Sequence, residues 1–353
     1  MGTIGLMADP GLPESIAHSI ADNLANYLSE NLQPVGDEQD WDVQVARGTL
    51  PITAEGMIPL LDHAQRIQEE RDWDFTFYLL DLPQWHEEEP LLSFASSAPA
   101  AALISIPALG ARQLRKRTQN VILLLIKTMR AQDATTTRHV RQRVKWIVSD
   151  NKEKWYVLAP GRRNRFRLLM GMVRSNRPGR LLSVLSNSLA AAVATGAFGV
   201  FYASLWNLAD ELAPLRHVFI GVLAIGLFTT WLIVDNRLWN KRPSGADGQQ
   251  DRRDNLVTIL TVGISVTSLY LALFLALLIG AVIIIAPTYL ETELDSKINV
   301  FDYVRLAWLA ASLGTFAGAL GSKFDDDADI ESATYSRRVY HRRQLADDQS
   351  DDD

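Results

Sequence analysis

The chain has 353 residues, of which 48% are hydrophobic and 22% are charged, and its formal net charge is −6. It contains no cysteine, which excludes disulfides, thiolate metal sites and cysteine nucleophiles. The long apolar runs fall within residues 181–322, and most of the charge lies on either side of them. This asymmetry predicts a membrane protein with a soluble N-terminal head.

The head, residues 1–131, is predicted to be an α/β domain. Apolar runs typical of strands begin at Thr3, Trp41, Phe75 and Ala100, and amphipathic helices are predicted between and after them. Alternation of this kind indicates a mixed or parallel sheet covered by helices. The first residues lack the basic start and long apolar core of a signal peptide, so we expect the head to stay in the compartment where it is made.

Two places in the head are candidate chemical sites. Residues 8–13 lie between a strand and a helix, where open sheets bind ligands, but they lack a phosphate-binding glycine motif, and a plain turn is favoured. The acidic residues beside His86 favour a solvated loop over a metal site. We therefore predict no catalytic residue, no metal and no cofactor. The alternative, a membrane-tethered enzyme, would use Asp9, Asp81 and His86.

Part of the head resembles a known family. Residues 74–83 (DFTFYLLDLP) and 101–110 (AALISIPALG) precede a long helix, a layout similar to that of small zincin-type metalloproteases. In that family the helix carries HExxH, whose histidines hold zinc while the glutamate acts as base. Residues 119–127 (QNVILLLIK) contain no histidine. The resemblance therefore implies a binding or scaffolding domain and carries over no site residue.

Residues 132–180 form a basic neck, in which residues 144–148 and 155–158 are predicted to pair as strands. Seven arginines follow without an acidic residue: Arg162, Arg163, Arg165, Arg167, Arg174, Arg177 and Arg180. Directly before a span, each favours anionic lipid headgroups by about 1 kcal/mol. We predict the lipid bilayer and its anionic headgroups as partners. Nucleic acid, the alternative partner of a basic run, is disfavoured by this position.

The same region carries a second resemblance. The sequence GRRNRFRLLMGMVRSNRPGRLL around Arg162, continued by residues 186–194, resembles an actinobacterial-type family of four-span membrane proteins with an N-terminal cytoplasmic α/β domain. The resemblance covers most of the chain. It implies this architecture but no established activity.

Four spans are predicted in the domain formed by residues 181–322. They cover residues 181–206, 217–234, 256–286 and 304–320. The loops that connect the spans are alternately acidic and basic. This alternation predicts that both termini are cytoplasmic and that the loops at residues 207–216 and 287–303 face the outer side of the membrane. The membrane is predicted to be an inner or plasma membrane. The fold class is thus an α/β N-terminal soluble domain followed by an all-α four-helix transmembrane domain. Residues 323–353 are predicted to be a disordered, charged cytoplasmic tail.

The third span is longer than a bilayer needs. At about 1.5 Å per residue it approaches 46 Å, against a hydrocarbon core of roughly 30 Å. Its hydroxyl residues cluster between Thr258 and Ser268, at the end predicted to be cytoplasmic. We therefore expect that portion to extend toward the head rather than the whole helix to tilt.

Small residues form two stripes that are predicted to mediate helix packing and could support a homo-oligomer. They are Gly314 and Gly318 on one span, and Ser188, Ala192 and Gly196 on another. Away from their ends, the spans lack the charged residues that proton relays and ion sites normally use. The chain is therefore predicted to be a non-enzymatic binding, scaffolding or sensing protein with an unknown cytoplasmic partner. The alternatives are a channel or transporter for a small ion or solute, and the tethered enzyme.

Overall fold

The chain forms two compact units, and the division falls between Ser175 and Asn176. The structure is a computed structural model. It describes residues 2–32, 41–51, 58–86, 89–131, 145–148, 153–176, 185–239, 248–294 and 297–324. The first unit is an α/β sheet domain and the second is helical, which confirms the predicted order of the two architectures.

One sheet of eight strands forms the centre of the first unit. The strands are β1 (Gly2–Ala8), β2 (Trp41–Arg47), β3 (Phe75–Leu80), β4 (Gln84–His86), β5 (Glu89–Ser97), β6 (Ala100–Ser105), β7 (Lys145–Val148) and β8 (Lys154–Leu158). Their order is β2-β1-β3-β6-β5-β8-β7, and β4 pairs with β5. The four strands from β2 to β6 along this order are parallel, whereas β5, β8 and β7 are antiparallel to their neighbours.

Strand β1 lies between β2 and β3 and is covered on both faces, as is typical of a parallel strand. Ile4, Leu6 and Ala8 are fully buried on one face. On the other face the Trp73 ring lies so close to Gly5 that a Cβ there would come within 1.8 Å of it. The glycine is therefore required by the close approach of the indole.

The described part of this unit contains four α-helices: α1 (Leu12–Asn31), α2 (Leu60–Arg71), α3 (Leu114–Ala131) and α4 (Arg162–Ser175). A short 3₁₀ turn covers Pro107–Leu109. Helix α1 follows Gly11, whose φ is 109°. Its buried residues include Ile16, Ile20, Leu24 and Leu28, which are spaced at helical intervals.

The sheet unit continues beyond the predicted end of the head at residue 131. Strand β5, which was not predicted, pairs with β8, so that Phe94 lies opposite Tyr156 and Ala95 opposite Trp155. The predicted strand pair of the neck is therefore part of the sheet, and the Trp155 side chain is buried. Pairing with β8 satisfies backbone groups that β5 would otherwise expose at an edge.

The second unit contains six described helices: α5 (Ser186–Phe201), α6 (Ala203–Glu211), α7 (Pro214–Asp235), α8 (Gly248–Ile284), α9 (Pro287–Leu294) and α10 (Val300–Gly321). Three helical segments are long and apolar enough to cross a membrane: α7, residues Asn255–Ile284 of α8, and α10. Helices α5 and α6 taken together are also long and apolar enough to cross a membrane, but the chain bends by 85° between them.

The predicted first span, residues 181–206, is not a single helix among the residues described. The backbone of Tyr202 is extended, with φ −96° and ψ 105°, and this ends α5. The Trp206 indole N–H then donates a 2.8 Å hydrogen bond to the carbonyl of Val200. This bond satisfies a carbonyl in the last turn of α5, which has no partner within the helix.

Candidate functional site

The strand order reverses between β1 and β3, because the chain leaves β1 for β2 on one side and returns to β3 on the other. Open α/β sheets bind ligands at the carboxyl ends of the strands at such a point. Asp9 follows β1 there and Asp81 follows β3, and both side chains are buried. The structure thus brings together two of the three residues that the tethered-enzyme alternative would use.

Hydrogen bonds at this position join three parallel strands. The Tyr78 hydroxyl donates to one carboxylate oxygen of Asp9, and the Asp81 backbone N–H donates to the other at 2.9 Å. The same hydroxyl accepts from the Leu50 N–H at 3.1 Å. The fully buried Tyr78 ring occupies the switch point. The arrangement ties the ends of these strands together.

His86, the third residue of that alternative, lies on β4 and stacks on Tyr156 with 4.3 Å between the ring centroids. It takes part in aromatic packing over β5 and β8, where Tyr156 also contacts Phe94. Within the described part of the chain, no group of three His, Asp or Glu side chains is arranged to hold a metal ion.

Helix α4 presents two different faces. Leu168, Gly171 and Met172 are buried, and α4 packs against the 3₁₀ turn at Pro107–Leu109. At the contact, a Cβ on Gly171 would come within 2.0 Å of the Pro107 carbonyl oxygen. The glycine therefore allows the helix to lie directly on the turn.

The opposite face of α4 is basic and carries one exposed aromatic ring. Arg162, Arg163 and Arg165 are exposed, and the Phe166 side chain among them is 62% exposed. Arg165 forms a 3.3 Å ion pair with Glu89. We call this face, formed by Arg162, Arg163, Arg165 and Phe166, the basic face of α4.

The other predicted headgroup arginines differ in position. Arg167 is partly buried on α4, and Arg174 is exposed in its last turn. Arg177 and Arg180 lie outside the described residues. Burial lowers the pKa of the Arg167 guanidinium, and the positive charges of Arg117 and Arg163 lower it further.

Sequence reasoning missed the contribution of α3 to this positive region. The basic residues at the start of α3 are Arg112, Arg115, Lys116 and Arg117. Arg117 belongs to the region because it flanks Gly110 together with Arg167. The signal for it is the dense basic run at residues 112–117, at the start of a segment that the sequence predicts to be a core helix.

The two stripes of small residues lie against each other within one chain. A Cβ on Gly314 would come within 2.5 Å of the Ala192 carbonyl oxygen, and one on Gly318 within 3.0 Å of the Ser188 carbonyl oxygen. Gly196 lies against the Ala310 carbonyl and the Leu277 side chain. Helix α5 therefore runs antiparallel along α10 with the backbones in close contact.

Many hydroxyl groups of the apolar helices donate to a carbonyl of their own helix. Examples are Thr267 to Gly263 at 2.7 Å, Ser265 to Thr261 at 2.9 Å and Thr315 to Ala311 at 2.8 Å. Other polar groups join different parts of the unit, as Asn176 does with Thr261 and Tyr270 with Ser312, both at 3.0 Å. These bonds satisfy polar groups in an apolar surrounding.

Charged groups mark both ends of the helical unit. At one end Arg305 bonds Asp210 at 2.9 Å and lies 3.9 Å from Asp302. At the other end Lys323 pairs with Asp235 and lies over the Trp231 ring at 5.5 Å.

Comparison of the chain with protein-family models, with curated proteins and with solved structures found no match.

Proposed function

We propose that this chain is a non-enzymatic binding, scaffolding or sensing protein of the inner or plasma membrane, anchored by four spans. Its cytoplasmic α/β head binds anionic lipid headgroups through α4. The observation that carries the proposal is the two-faced character of α4. One face packs on the 3₁₀ turn through Gly171, and the other exposes arginines around Phe166. Cations around an apolar side chain are typical of helices that lie in a membrane interface.

The packing of α5 supports the fourth span. Its contacts follow α10 from Gly321, which meets Asn187 and Ser188, to Ala310, which meets Gly196. At about 1.5 Å per residue, the 16 residues of α5 cover roughly 24 Å, most of a hydrocarbon core of about 30 Å. We propose that α5 crosses the membrane, and that α6 lies across its outer end.

The charges of the connections support the orientation. Asp210 and Glu211 lie at the end of the bundle that also holds α9, whereas Arg237 and Lys323 lie at the other end. Basic connections stay on the cytoplasmic side. Because the chain has no cysteine of its own, a single introduced cysteine is its only thiol. Labelling of that thiol shows on which side of the membrane the residue lies. A membrane-impermeant maleimide should label Glu293→Cys in intact cells, but Ser332→Cys only after lysis. The reverse pattern would overturn the orientation.

The headgroup contact is tested with a fluorophore at the basic face. Phe166→Cys is labelled with nitrobenzoxadiazole, and the full chain is placed in nanodiscs of phosphatidylcholine, with or without phosphatidylglycerol. We expect a blue shift only with the anionic lipid, because the arginines bring the fluorophore into the interface. The shift should decrease as salt is added, since exposed charges are screened within about 10 Å at 0.1 M salt.

The control is Ser29→Cys on the exposed face of α1, labelled in the same way. Its emission should be the same in both lipids. Identical emission from position 166 in both lipids would refute the headgroup contact. A shift that persists after Arg162→Gln and Arg165→Gln are combined would show that the basic face is not its cause.

A further inference from the structure

We infer that the basic face of α4 is a docking surface for the acidic segment of this chain at residues 347–353, and that anionic lipid competes with the segment for it. The inference rests on the proposed function, because the competing headgroups are those proposed there to bind α4. It deepens that function by naming a regulatory partner for the same face. Residues 347–353 lie outside the described residues, and only their sequence enters the inference.

The basic face offers several exposed cations with little compensating charge. Arg162 and Arg163 form no ion pair in the described part of the chain, and Arg165 pairs with Glu89 at 3.3 Å. Helix α4 itself contains no carboxylate. Positive side chains at a helix start oppose the helix dipole, whereas a negative partner there is favourable. The face therefore suits an anionic partner.

A second helix extends this positive surface. A Cβ on Gly110 would come within 2.6 Å of Cγ of Arg167 and within 3.2 Å of Nη1 of Arg117, so the start of α3 adjoins α4 at this glycine. Three exposed cations lie in the residues that follow it, namely Arg112, Arg115 and Lys116. A surface of this extent is matched best by a partner that carries several negative charges in a row.

The acidic segment has that character. Residues 347–353 read DDQSDDD, which is five aspartates in seven residues with no lysine or arginine. The segment also lacks apolar side chains, so it can lie on exposed arginines without leaving apolar surface in water. Charge complementarity therefore favours it as the occupant of the basic face.

The chain is long enough for the contact. Only residues 176–185 separate α4 from α5, and a Cβ on Gly321 would lie 3.1 Å from the Asn187 carbonyl oxygen at the start of α5. The chain therefore leaves α10 beside the start of α5. Residues 325–346 then provide a connection that spans up to roughly 70 Å when extended and about 26 Å as a flexible coil. The basic face lies within about 20 Å of the end of α4.

Covalent attachment compensates for the weakness of exposed ion pairs. A single pair at a protein surface contributes little to binding. A segment tethered by a short flexible connection, however, has an effective concentration on the order of mM near its target. A contact that is too weak to form between separate molecules can therefore still occupy the basic face.

Anionic lipid would act on both partners of this contact. Headgroups attract the arginines of α4, and they also attract the basic residues that precede the acidic segment, namely Arg337, Arg338, Arg342 and Arg343. Both attractions draw the acidic segment away from α4. The face is thus covered at a neutral membrane and becomes available as the anionic fraction of the membrane increases.

The contact is tested by disulfide cross-linking of the full chain, which has no cysteine of its own. Phe166→Cys is combined with Ser350→Cys, which leaves every charge in place, in phosphatidylcholine nanodiscs that hold one chain. We expect an intramolecular disulfide to form at least about tenfold faster than in the matched pair Ser29→Cys and Ser350→Cys, because docking raises the local thiol concentration above that of a free tether. Equal rates for the two pairs would overturn the inference.

Two sets of substitutions, each removing five negative charges, identify the segment. The first should reduce cross-linking to the rate of the Ser29→Cys pair, and it consists of Asp347→Asn, Asp348→Asn, Asp351→Asn, Asp352→Asn and Asp353→Asn. The matched control lies nearer to α10 and should leave the rate unchanged. It consists of Asp325→Asn, Asp326→Asn, Asp327→Asn, Asp329→Asn and Glu331→Gln. Equal losses from both sets would indicate diffuse attraction and overturn the docking.

The competition is measured with the nitrobenzoxadiazole label at position 166, as the phosphatidylglycerol fraction of the nanodiscs is increased. Removing the five charges of residues 347–353 should lower the fraction that gives a half-maximal blue shift at least about twofold, since a covered face binds lipid in proportion to its free fraction. An unchanged fraction would overturn the competition. The absence of any shift would overturn the proposed function as well, whereas the disulfide rates decide the docking independently of lipid.

Discussion

Gly171 of α4 lies against Pro107 so closely that a Cβ on the glycine would come within 2.0 Å of the proline carbonyl oxygen. This contact fixes the basic helix onto the sheet unit. The atom it approaches is backbone, which cannot rotate away as a side chain can. The position of the basic face therefore depends on the absence of one methyl group.

Gly171→Ala should destabilise the sheet unit. Overpacking of this kind costs typically about 1–3 kcal/mol, which exceeds the roughly 1 kcal/mol that alanine gains over glycine in a helix. The measurement is the thermal midpoint of the full chain in detergent, followed by tryptophan fluorescence. The control is Gly226→Ala in α7, where an added Cβ meets no atom within 4 Å. It should be neutral or stabilising, and equal midpoints for the two variants would contradict the close contact.

Gly314→Ala should loosen the pairing of α5 with α10. The new methyl group would lie 2.5 Å from the Ala192 carbonyl oxygen and 3.1 Å from Cδ2 of Leu273. Since close backbone approach is the basis of helix association in lipid, we expect a loss of about 1–3 kcal/mol. Steric trapping or thermal unfolding in detergent would measure it against Gly226→Ala. A midpoint at or above that of the control would mean that α5 and α10 are not in close contact.

Tyr78→Phe tests the bond network at the switch point of the sheet. The variant removes the hydroxyl that donates to Asp9 and accepts from the Leu50 N–H. Hydrogen bonds to charged groups contribute about 1.5–3 kcal/mol, so chemical denaturation should show a loss of that order. The matched control is Tyr27→Phe, whose hydroxyl bonds Asn120 at an exposed position. A loss no larger than that of the control would argue against a structural role for the network.

Among the interactions that tie α6 to the rest of the helical unit, two polar ones differ in magnitude. The Trp206 bond to the Val200 carbonyl is buried, so Trp206→Phe should cost about 1–3 kcal/mol. The Arg305–Asp210 pair is more than one third exposed on both sides, and such pairs contribute roughly 0–1 kcal/mol. Arg305→Gln should therefore shift the unfolding midpoint less than Trp206→Phe does. The opposite ranking would show that the ion pair, rather than the indole, holds the bend.

Much of the fold could be predicted because it is encoded by patterns among residues that are close together in the sequence. The spacing of apolar residues predicts the strands that begin at Phe75 and Ala100. The length of the apolar runs predicts the spans around α7 and α10. Strand β5 was missed because its run is interrupted by Ser93, Ser96 and Ser97, which are polar but lie within the sheet. The break at Tyr202 was missed because residues 181–206 stay apolar throughout, and composition does not reveal where a helix bends.

The sequence by itself determined that an α/β domain precedes a set of apolar helices, since periodicity and apolar length are properties of neighbouring residues. It also marked the arginines of α4 as a positive segment. Only the tertiary structure decided that α4 packs on Pro107, that Arg117 meets Arg167 at Gly110, and that Gly314 meets Ala192 in the same chain. Each of these pairs joins residues that are far apart in the chain, and their approach depends on backbone geometry that a linear pattern does not contain.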